Sequence, residues 1–337
     1  MSMNNAGNSS AADSSAARRA AAKIASLSQE QRALTDRGAE IIKSGGLVAF
    51  PTETVYGLGA NALDADAVKK IYETKGRPSD NPLILHVSSV AMADRLVEIN
   101  PRARMLMEKF WPGPLSIVLP AKEIVPARTR GGLPTAAVRM PDAPIALALI
   151  EKSDLPIAAP SANISGRPSP TDAATVREEI GDIIPLVIDG GDTRLGVEST
   201  VIDMTGRNVV LLRPGGLPKE ALEEVLGEEV ILPQDQNIIK RSPGTRYRHY
   251  APNIPLKLTT PDDVPNNSDW AWLGTCEPHG TPMAKIIFRD DAEYAKELFR
   301  ALRTLEKSGA KLICAQRPEE KGIGRALMDR LTRAAGE

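Results

Sequence analysis

The chain lacks most of the residue patterns that carry covalent or metal-based catalysis. Among 337 residues only two are cysteines and three are histidines, and Cys276 and Cys314 form no CxxC pair. This excludes a disulfide framework and a cysteine zinc site, and it favours a reducing compartment, which we expect to be the cytoplasm. The motifs GxxxxGKS/T, GxSxG and HExxH are also absent. A covalent or zinc-based enzyme is therefore not expected.

The chain also lacks an excess of charge of one sign and any long apolar run. Lys and Arg number 42 against 43 Asp and Glu, so a nucleic acid would have to be held by a local basic patch. No run approaches about 18 consecutive apolar residues, so we expect neither a membrane span nor a membrane partner. The length favours two domains. The Ser-, Ala- and Asn-rich residues 1–26 are predicted to be a disordered tail, with an organelle transit peptide as the weaker alternative.

What the chain does contain is a series of apolar strands that end in polar loops. The first strand runs into PTETVYGLGAN, which presents Thr54 beside two glycines, and α/β folds place ligands at such junctions. Next, KGRPSDNPLILH carries Lys75, Arg77 and Asn81 in a proline-rich loop and leads into a strand with His86 near its end. A cationic loop entering a core strand suggests anion binding, although a solvated surface turn would explain the loop alone.

Cations and hydroxyls recur at the later strands. TRGGLPTAAVRMPD carries Arg139 inside an apolar strand that begins near Thr135, and Ser199 and Arg213 stand in VESTVID and LLRPGG. A buried arginine is paired with a protein carboxylate or binds an anion, and the sequence leaves both alternatives open. The repeated pattern suits catalysis by positioning and by charge neutralisation on a polyphosphate.

The segment PIAAPSANISGRPSPT has the densest polar character in the chain. It places Ala159 at the end of a buried strand and Ser161 and Ser169 in the irregular stretch that follows, with Thr171 predicted as the cap of the next helix. Hydroxyls and free backbone N–H groups beside a helix N-terminus suit a phosphate or a nucleotide. The same composition also occurs in ordinary loops.

Residues 218–255 are predicted to be an interdomain linker, and a lid is one of its possible roles. The linker is basic, and tyrosines are interleaved with its cations: Lys240, Arg241, Arg246, Tyr247, Arg248, His249 and Tyr250. Its alternatives are RNA contact through stacking on the tyrosines, a clamp over a nucleotide bound in the first domain, and a solvated spacer. Residues 256–337 alternate strand and helix patterns, which predicts a small Rossmann-like α/β domain.

Several ordered blocks together resemble the YrdC-domain family: PTETVYGLG, KGRPSDNPLILHV, FWPGPLSIVL, AVRMPD, APSANISGRPSPT, GVESTVID and LLRPGG. SPGTRYRHYAP and GIGRALMDR are similar to the linker and the C-terminal unit of its long two-domain members, the threonylcarbamoyl-AMP synthases. Thr245 and Arg246 stand where the family usually has methionine and lysine. The resemblance implies an α/β fold with a YrdC-like twisted mixed sheet and a large concave site over residues 27–217, followed by the linker and the small α/β domain.

The family joins L-threonine, bicarbonate and ATP into threonylcarbamoyl-adenylate and pyrophosphate, and a separate tRNA threonylcarbamoyltransferase uses the product. By motif match, Lys75 and Arg77 would be the catalytic cations. The residues implied for ATP are Arg77, Asn81, Thr135, Ser161, Ser169, Arg213 and Tyr250. The residues implied for threonine are Thr54, His86, Arg139, Ala159 and Ser199. Arg139 would bind the threonine carboxylate, and Mg²⁺ would accompany ATP, held mainly by the phosphates.

Two rival hypotheses come from other classes of protein. The first is an RNA-binding module, because the YrdC fold has a basic concave face and the linker is basic and aromatic; weak RNA binding beside a synthase activity is a milder form of it. The second is a carbamoyl- or acyl-phosphate-processing enzyme, because YrdC-like domains occur in carbamoyltransferases. The zinc-finger and acylphosphatase segments expected of those enzymes are absent from this sequence.

Overall fold

The computed structural model describes residues 7–233 and 249–336, with side chains from residue 15 onward. Within these ranges the chain forms two α/β bodies, one built on an eight-stranded sheet and one on a four-stranded sheet. This confirms the predicted fold class. Most of the predicted basic linker lies outside the described residues, namely Lys240, Arg241, Thr245, Arg246, Tyr247 and Arg248.

The large sheet is mixed. Its strands in chain order are β1 (Val48–Pro51), β2 (Tyr56–Asn61), β3 (Ile84–His86), β4 (Leu115–Pro120), β5 (Thr135–Arg139), β6 (Ile157–Ala158), β7 (Thr200–Asp203) and β8 (Val210–Arg213). Their spatial order is β1-β2-β6-β3-β5-β4-β7-β8. β3 runs parallel to β5 and β4 parallel to β7, and the other neighbours are antiparallel. The register sets His86 directly beside Arg139, so two residues that are remote in sequence meet at one edge of the sheet.

Helices cover the sheet and enclose its main apolar core. They are α1 (Gly7–Ala25), α2 (Gln29–Lys43), α3 (Ala65–Lys75), α4 (Val90–Asp94), α5 (Pro101–Phe110), α6 (Pro144–Ser153), α7 (Ala173–Ile180) and α8 (Lys219–Leu226). α2 begins at a capping box in which the Ser28 hydroxyl accepts from the Gln31 N–H at 3.1 Å. The N-cap of α7 is Asp172, whose carboxylate accepts from the Thr175 N–H at 2.7 Å. The predicted cap at Thr171 was therefore one residue early.

The N-terminal segment corrects one prediction. Residues 7–25 form α1 instead of a disordered tail. Ala16 and Ala20 of this helix are buried, and Arg19 donates to the carbonyls of Glu108 and Trp111 at 3.0 and 2.6 Å. The composition predicted disorder because it has few large apolar residues. Alanine has the highest helix propensity, however, and here its small side chains allow close packing on the first body.

The second body is a parallel sheet with two helices. Its elements are β9 (Leu256–Thr259), β10 (Trp270–Gly274), β11 (Ala284–Ile287), α9 (Asp291–Glu306), β12 (Leu312–Gln316) and α10 (Ile323–Ala335). The strand order is β11-β10-β12-β9, and every neighbouring pair is parallel. The small α/β domain predicted for the C-terminal third is confirmed. Among the described helices of both bodies, none combines the length and the apolarity that crossing a membrane requires.

The two bodies share apolar contacts. Val55 and Val197, from loops of the first body, pack in the same core cluster as Tyr250 and the helices of the second body. Gly196, at φ +72°, lies so close to the Lys296 carbonyl that an added Cβ would be 1.9 Å from its oxygen. Helix α8 packs on the core of the first body, and Ile231 pairs with Val210 of its sheet. The first body therefore includes residues beyond 217.

Candidate active site

A cavity lies between the polar loops of the large sheet and the segment that carries His249 and Tyr250. Its wall contains all but two of the residues predicted for the site: Thr54, Lys75, Arg77, His86, Arg139, Ala159, Ser161, Ser169, Ser199, Arg213 and Tyr250. Most of them end a strand or stand in the loop after one, and the strand order of the sheet brings these loops together. The fold therefore gathers residues that span more than half of the sequence.

Asn81 and Thr135 are the two predicted residues that do not line this cavity. Asn81 is fully buried, and its carbonyl accepts from the Tyr72 hydroxyl at 3.1 Å. Thr135 is half-buried at the start of β5, at the opposite end of that strand from Arg139. Both residues were assigned to ATP by motif match to the family, and neither lies in the wall of this cavity.

Lys75 is the most deeply enclosed cation of the wall. It is the last residue of α3, and Gly76 then takes a left-handed conformation that turns the chain away. The Lys75 residue is 1% exposed, and its ammonium donates to the carbonyls of Ser161, at 2.6 Å, and Asn163. Burial, with a smaller contribution from Arg77, lowers the pKa of Lys75 to about 7. A negative ligand in the cavity would favour the charged form.

Two arginines complete this side of the wall. Arg77 donates to the Pro82 carbonyl at 3.2 Å, and its buried Nε makes no hydrogen bond with any residue that the structure describes. Burial lowers the pKa of Arg77 to about 10, so it stays protonated at neutral pH. Arg213 donates to the carbonyl of Ser199 at 2.8 Å and to its hydroxyl at 3.1 Å. These contacts orient both guanidinium groups before any ligand is bound.

Arg139 has a protein carboxylate as its partner. Its Nη2 lies 2.7 Å from Oε2 of Glu53 and donates to the Thr54 hydroxyl at 3.0 Å. Neither Glu53 oxygen meets the geometry of a hydrogen bond, so the contact is an ion pair without good alignment. The alternative of an internal carboxylate, left open by the sequence, is thus realised. Arg139 nevertheless lines the cavity, so an additional anion can approach it.

His86 lies beside Arg139 and is neutral. Burial and then the positive charge of Arg139 lower the pKa of His86 to about 3. A neutral imidazole in this position can donate or accept a hydrogen bond without adding charge to the site.

Glu198 is the one carboxylate in the cavity wall among the described residues. One of its oxygens accepts from the Ser169 hydroxyl at 2.6 Å, and the other pairs with Nε of Arg330, from α10, also at 2.6 Å. Burial opposes ionisation of Glu198, but Arg330 and Arg213 hold the pKa of this carboxyl below its ordinary value. The predicted set of residues did not contain Glu198 or Arg330. The block GIGRALMDR ends at Arg330 and was the only sequence signal for it.

Tyr250 closes the cavity from the side of the second body. It is 4% exposed, its ring stacks on Phe299 with centroids 5.2 Å apart, and the guanidinium of Arg330 lies 5.3 Å from the ring centre. His249 packs against Tyr250 at 5.6 Å, and burial followed by the field of Arg77 lowers the pKa of His249 to about 3. Arg167, which the predicted set also omitted, lines the cavity and forms an ion pair with Glu306 of α9 at 2.5 Å.

Cations outnumber carboxylates in the wall of the cavity. The cations in its wall are Lys75, Arg77, Arg139, Arg167 and Arg213. Buried cations that exceed their carboxylate partners are costly unless a ligand supplies negative charge. Fold and site together define an α/β protein of two bodies, with a cation-lined cavity between its large sheet and Tyr250 that suits an anionic ligand.

Comparisons with known proteins agree with this class. A model of the Sua5, YciO and YrdC family, described as "Telomere recombination", matches residues 40–215, and a model described as "Threonylcarbamoyl-AMP synthase, C-terminal domain" matches residues 217–336. The threonylcarbamoyl-AMP synthases of Pyrococcus abyssi and Bacillus subtilis are 49% and 44% identical to the chain. They match over 88% and 89% of it and over 93% and 92% of their own lengths.

A solved structure gives the same result for the fold. P. abyssi Sua5, crystallised in complex with L-threonine, superposes with a TM-score of 0.82 at 46% identity, covering 90% of this chain and 94% of that one. The chain therefore belongs to the threonylcarbamoyl-AMP synthase family, in its two-domain form. This confirms the resemblance found in the sequence.

Proposed function

We propose that this protein is an L-threonylcarbamoyladenylate synthase, a nucleotidyltransferase that joins L-threonine, bicarbonate and ATP and releases pyrophosphate. The observation that carries the proposal is the convergence of Lys75, Arg77 and Arg213 on one enclosed cavity, in a chain of this family. Two anions, ATP and bicarbonate, and the carboxylate of threonine have to be brought together in this reaction. Prepositioned cations reduce the repulsion between them at no reorganisation cost during the reaction.

The chemistry requires no covalent enzyme intermediate. The threonine amine takes up bicarbonate with loss of water and becomes a carbamate. A carbamate oxygen then forms a bond to the α-phosphorus, the bond from that phosphorus to the bridging oxygen breaks, and pyrophosphate leaves. Lys75 and Arg77 are proposed to neutralise the triphosphate and the carbamate. The Nε of Arg77 is a donor that is available to a ligand. The Lys75 ammonium is oriented by its hydrogen bonds to the carbonyls of Ser161 and Asn163.

The threonine subsite is proposed at the edge formed by β3 and β5. Arg139 would bind the carboxylate, with Thr54, His86, Ala159 and Ser199 around the rest of the amino acid. Nη1 of Arg139 takes part in none of its contacts with Glu53, Thr54 or Gly113, so it is the group that we assign to the carboxylate. Neutral His86 adds no repulsion toward the threonine ammonium.

The nucleotide is proposed to lie toward the second body, against Arg77, Ser161, Ser169, Arg213 and Tyr250. Because the Ser169 hydroxyl donates to Glu198, its oxygen is left as an acceptor and suits a hydroxyl or amino group of the nucleotide. The predicted contacts of Asn81 and Thr135 with ATP stay predictions, since neither residue lines the cavity.

Mg²⁺ is proposed to enter with ATP as its counter-ion. No group of three or more potential metal-ligating side chains occurs in the described parts of the chain. The wall carboxylate, Glu198, already has both oxygens engaged. The residues that the structure describes thus offer no carboxylate cage, and phosphate oxygens and water would hold the ion.

The experiment that tests the function is pyrophosphate release by the purified protein. Release is expected only when ATP, L-threonine and bicarbonate are all present, and the nucleotide product should be threonylcarbamoyl-AMP. Pyrophosphate or phosphate release that is independent of threonine would contradict the proposal. We further propose that a separate tRNA threonylcarbamoyltransferase in the cytoplasm consumes the product. Salt-sensitive RNA binding without turnover would instead support the RNA-binding module.

A further inference from the structure

Arg330 of the second body belongs to a buried chain of contacts that ends in the wall of the cavity. It is fully buried although it carries a charge. Its Nε lies 2.6 Å from Glu198 Oε2, its Nη1 lies 2.5 Å from Asp329 Oδ2, and its guanidinium covers the ring of Tyr250. Arg330 does not itself line the cavity, but Glu198 and Tyr250 do.

The contact with Glu198 decides the charge and the hydrogen-bonding direction in part of the wall. Glu198 is the single carboxylate among the described lining residues, and without a partner it would repel a polyphosphate. The other oxygen of Glu198 accepts a hydrogen bond from the Ser169 hydroxyl. A carboxylate that was free to rotate or to take up a proton would no longer fix that hydroxyl.

We infer that Arg330 is a positioning residue for the nucleotide, through which the C-terminal domain completes a site built by the first domain. It cancels the charge of Glu198 and, through Glu198, turns the oxygen of Ser169 toward the nucleotide. The inference rests on the proposed function, because it assumes that ATP occupies this side of the cavity. We also expect that the affinity for threonine, which is proposed to bind beside Arg139, does not depend on the Arg330–Glu198 pair.

Arg330→Met tests this role. The methionine keeps much of the volume and leaves Glu198, a charge facing the nucleotide, without its ion-pair partner and with only the field of Arg213. We expect the KM for ATP to rise roughly tenfold or more, while the KM for threonine changes less than about twofold. Adding Glu198→Gln to this variant removes the charge and is expected to restore most of the affinity for ATP. A contribution through domain docking alone would not be rescued by the second substitution.

Arg325→Met is the matched control. Arg325 lies on the same helix and also forms an ion pair with the first body, to Glu220 at 2.8 Å; this pair is more exposed than Arg330–Glu198, and neither of its residues lines the cavity. Its KM for ATP should equal that of the wild type. Equal effects of Arg325→Met and Arg330→Met, or a rise in KM for ATP that Glu198→Gln does not reverse, would overturn the inference.

The wild-type protein separates the two proposals. If it releases no pyrophosphate with all three substrates, the proposed function fails; if it does and Arg330→Met binds ATP normally, only the inference fails. Should Arg330→Met not fold, Arg330→Lys retains a charge near Glu198 with fewer donors. That variant is expected to raise the KM for ATP by a smaller factor, and an unchanged value would again overturn the inference.

Discussion

Arg139 and Glu53 form an ion pair in which Nη2 and Oε2 are 2.7 Å apart and both side chains are almost fully buried. The arginine lines the candidate active site, whereas the glutamate lies behind it, in the wall of a neighbouring cavity. Glu53 therefore holds the proposed threonine-binding cation from the far side. It compensates the charge of Arg139 when no substrate is present.

Glu53→Gln is expected to lower the free energy of unfolding and to make it depend more strongly on threonine than in the wild type. The substitution leaves a buried guanidinium without its counter-charge, which should lower the free energy of unfolding by about 3 kcal/mol. Threonine supplies a carboxylate to the same arginine, so its stabilising effect should be larger in the variant than in the wild type. Thermal unfolding with and without threonine measures this. Equal shifts in Tm for both proteins would contradict the assignment of Arg139 to the threonine carboxylate.

Lys75→Met is expected to abolish pyrophosphate release while the fold is retained. Removing one prepositioned cation from a site of charge neutralisation should reduce turnover roughly 100-fold or more. Burial disfavours the charged form of Lys75, as its lowered pKa shows. A neutral side chain of similar length should therefore not destabilise the domain. Lys70→Met is the control: Lys70 also lies on α3, but its ammonium donates to Gly45, away from the cavity. Turnover at the wild-type rate in Lys75→Met would exclude a catalytic role for this residue.

Lys75 is expected to take up a proton when ATP binds. Its pKa is about 7 in the folded protein, against about 10.4 in an unfolded chain. Between these values the unfolded state binds more protons, so this group makes stability rise with pH in that window. ATP favours the ammonium and should raise its pKa, and roughly one proton should be taken up at about pH 8. Calorimetry in buffers of different ionisation enthalpy measures the uptake.

The uptake should disappear in Lys75→Met. His86 and His249 do not interfere, because their pKa values of about 3 keep them neutral throughout this range. An equal uptake in the wild type and in Lys75→Met would assign the proton to another group.

Tyr250 is predicted to act through its ring more than through its hydroxyl. The ring stacks on Phe299 and lies under the guanidinium of Arg330. Tyr250→Ala removes both contacts and should destabilise the closed interface by about 3 kcal/mol, with a large loss of turnover. Tyr250→Phe keeps the ring and should retain most activity. If the phenylalanine variant lost as much turnover as the alanine variant, a hydroxyl contact with ATP would be the better explanation.

The sequence predicted the parts of this protein that depend on local signals. The alternation of strand and helix in the C-terminal third and the strand that ends at His86 both follow from residues close to each other in the chain. The ordered blocks then led to the correct family. Local composition failed at α1, because the tertiary contacts of Ala16, Arg19 and Ala20 stabilise a helix in a segment that lacks large apolar residues.

Tertiary structure decided which residues share the cavity and which charges are paired. Whether Arg139 meets a protein carboxylate, whether Thr135 reaches the site and whether α10 contributes to it depend on strand order, register and domain packing. These are set by burial of apolar surface across the whole chain, and no short window of sequence carries them. Glu198 and Arg330 lie far apart in sequence and meet because the two bodies pack together, through the apolar cluster of Val55, Val197 and Tyr250 and through ion pairs such as Arg167–Glu306.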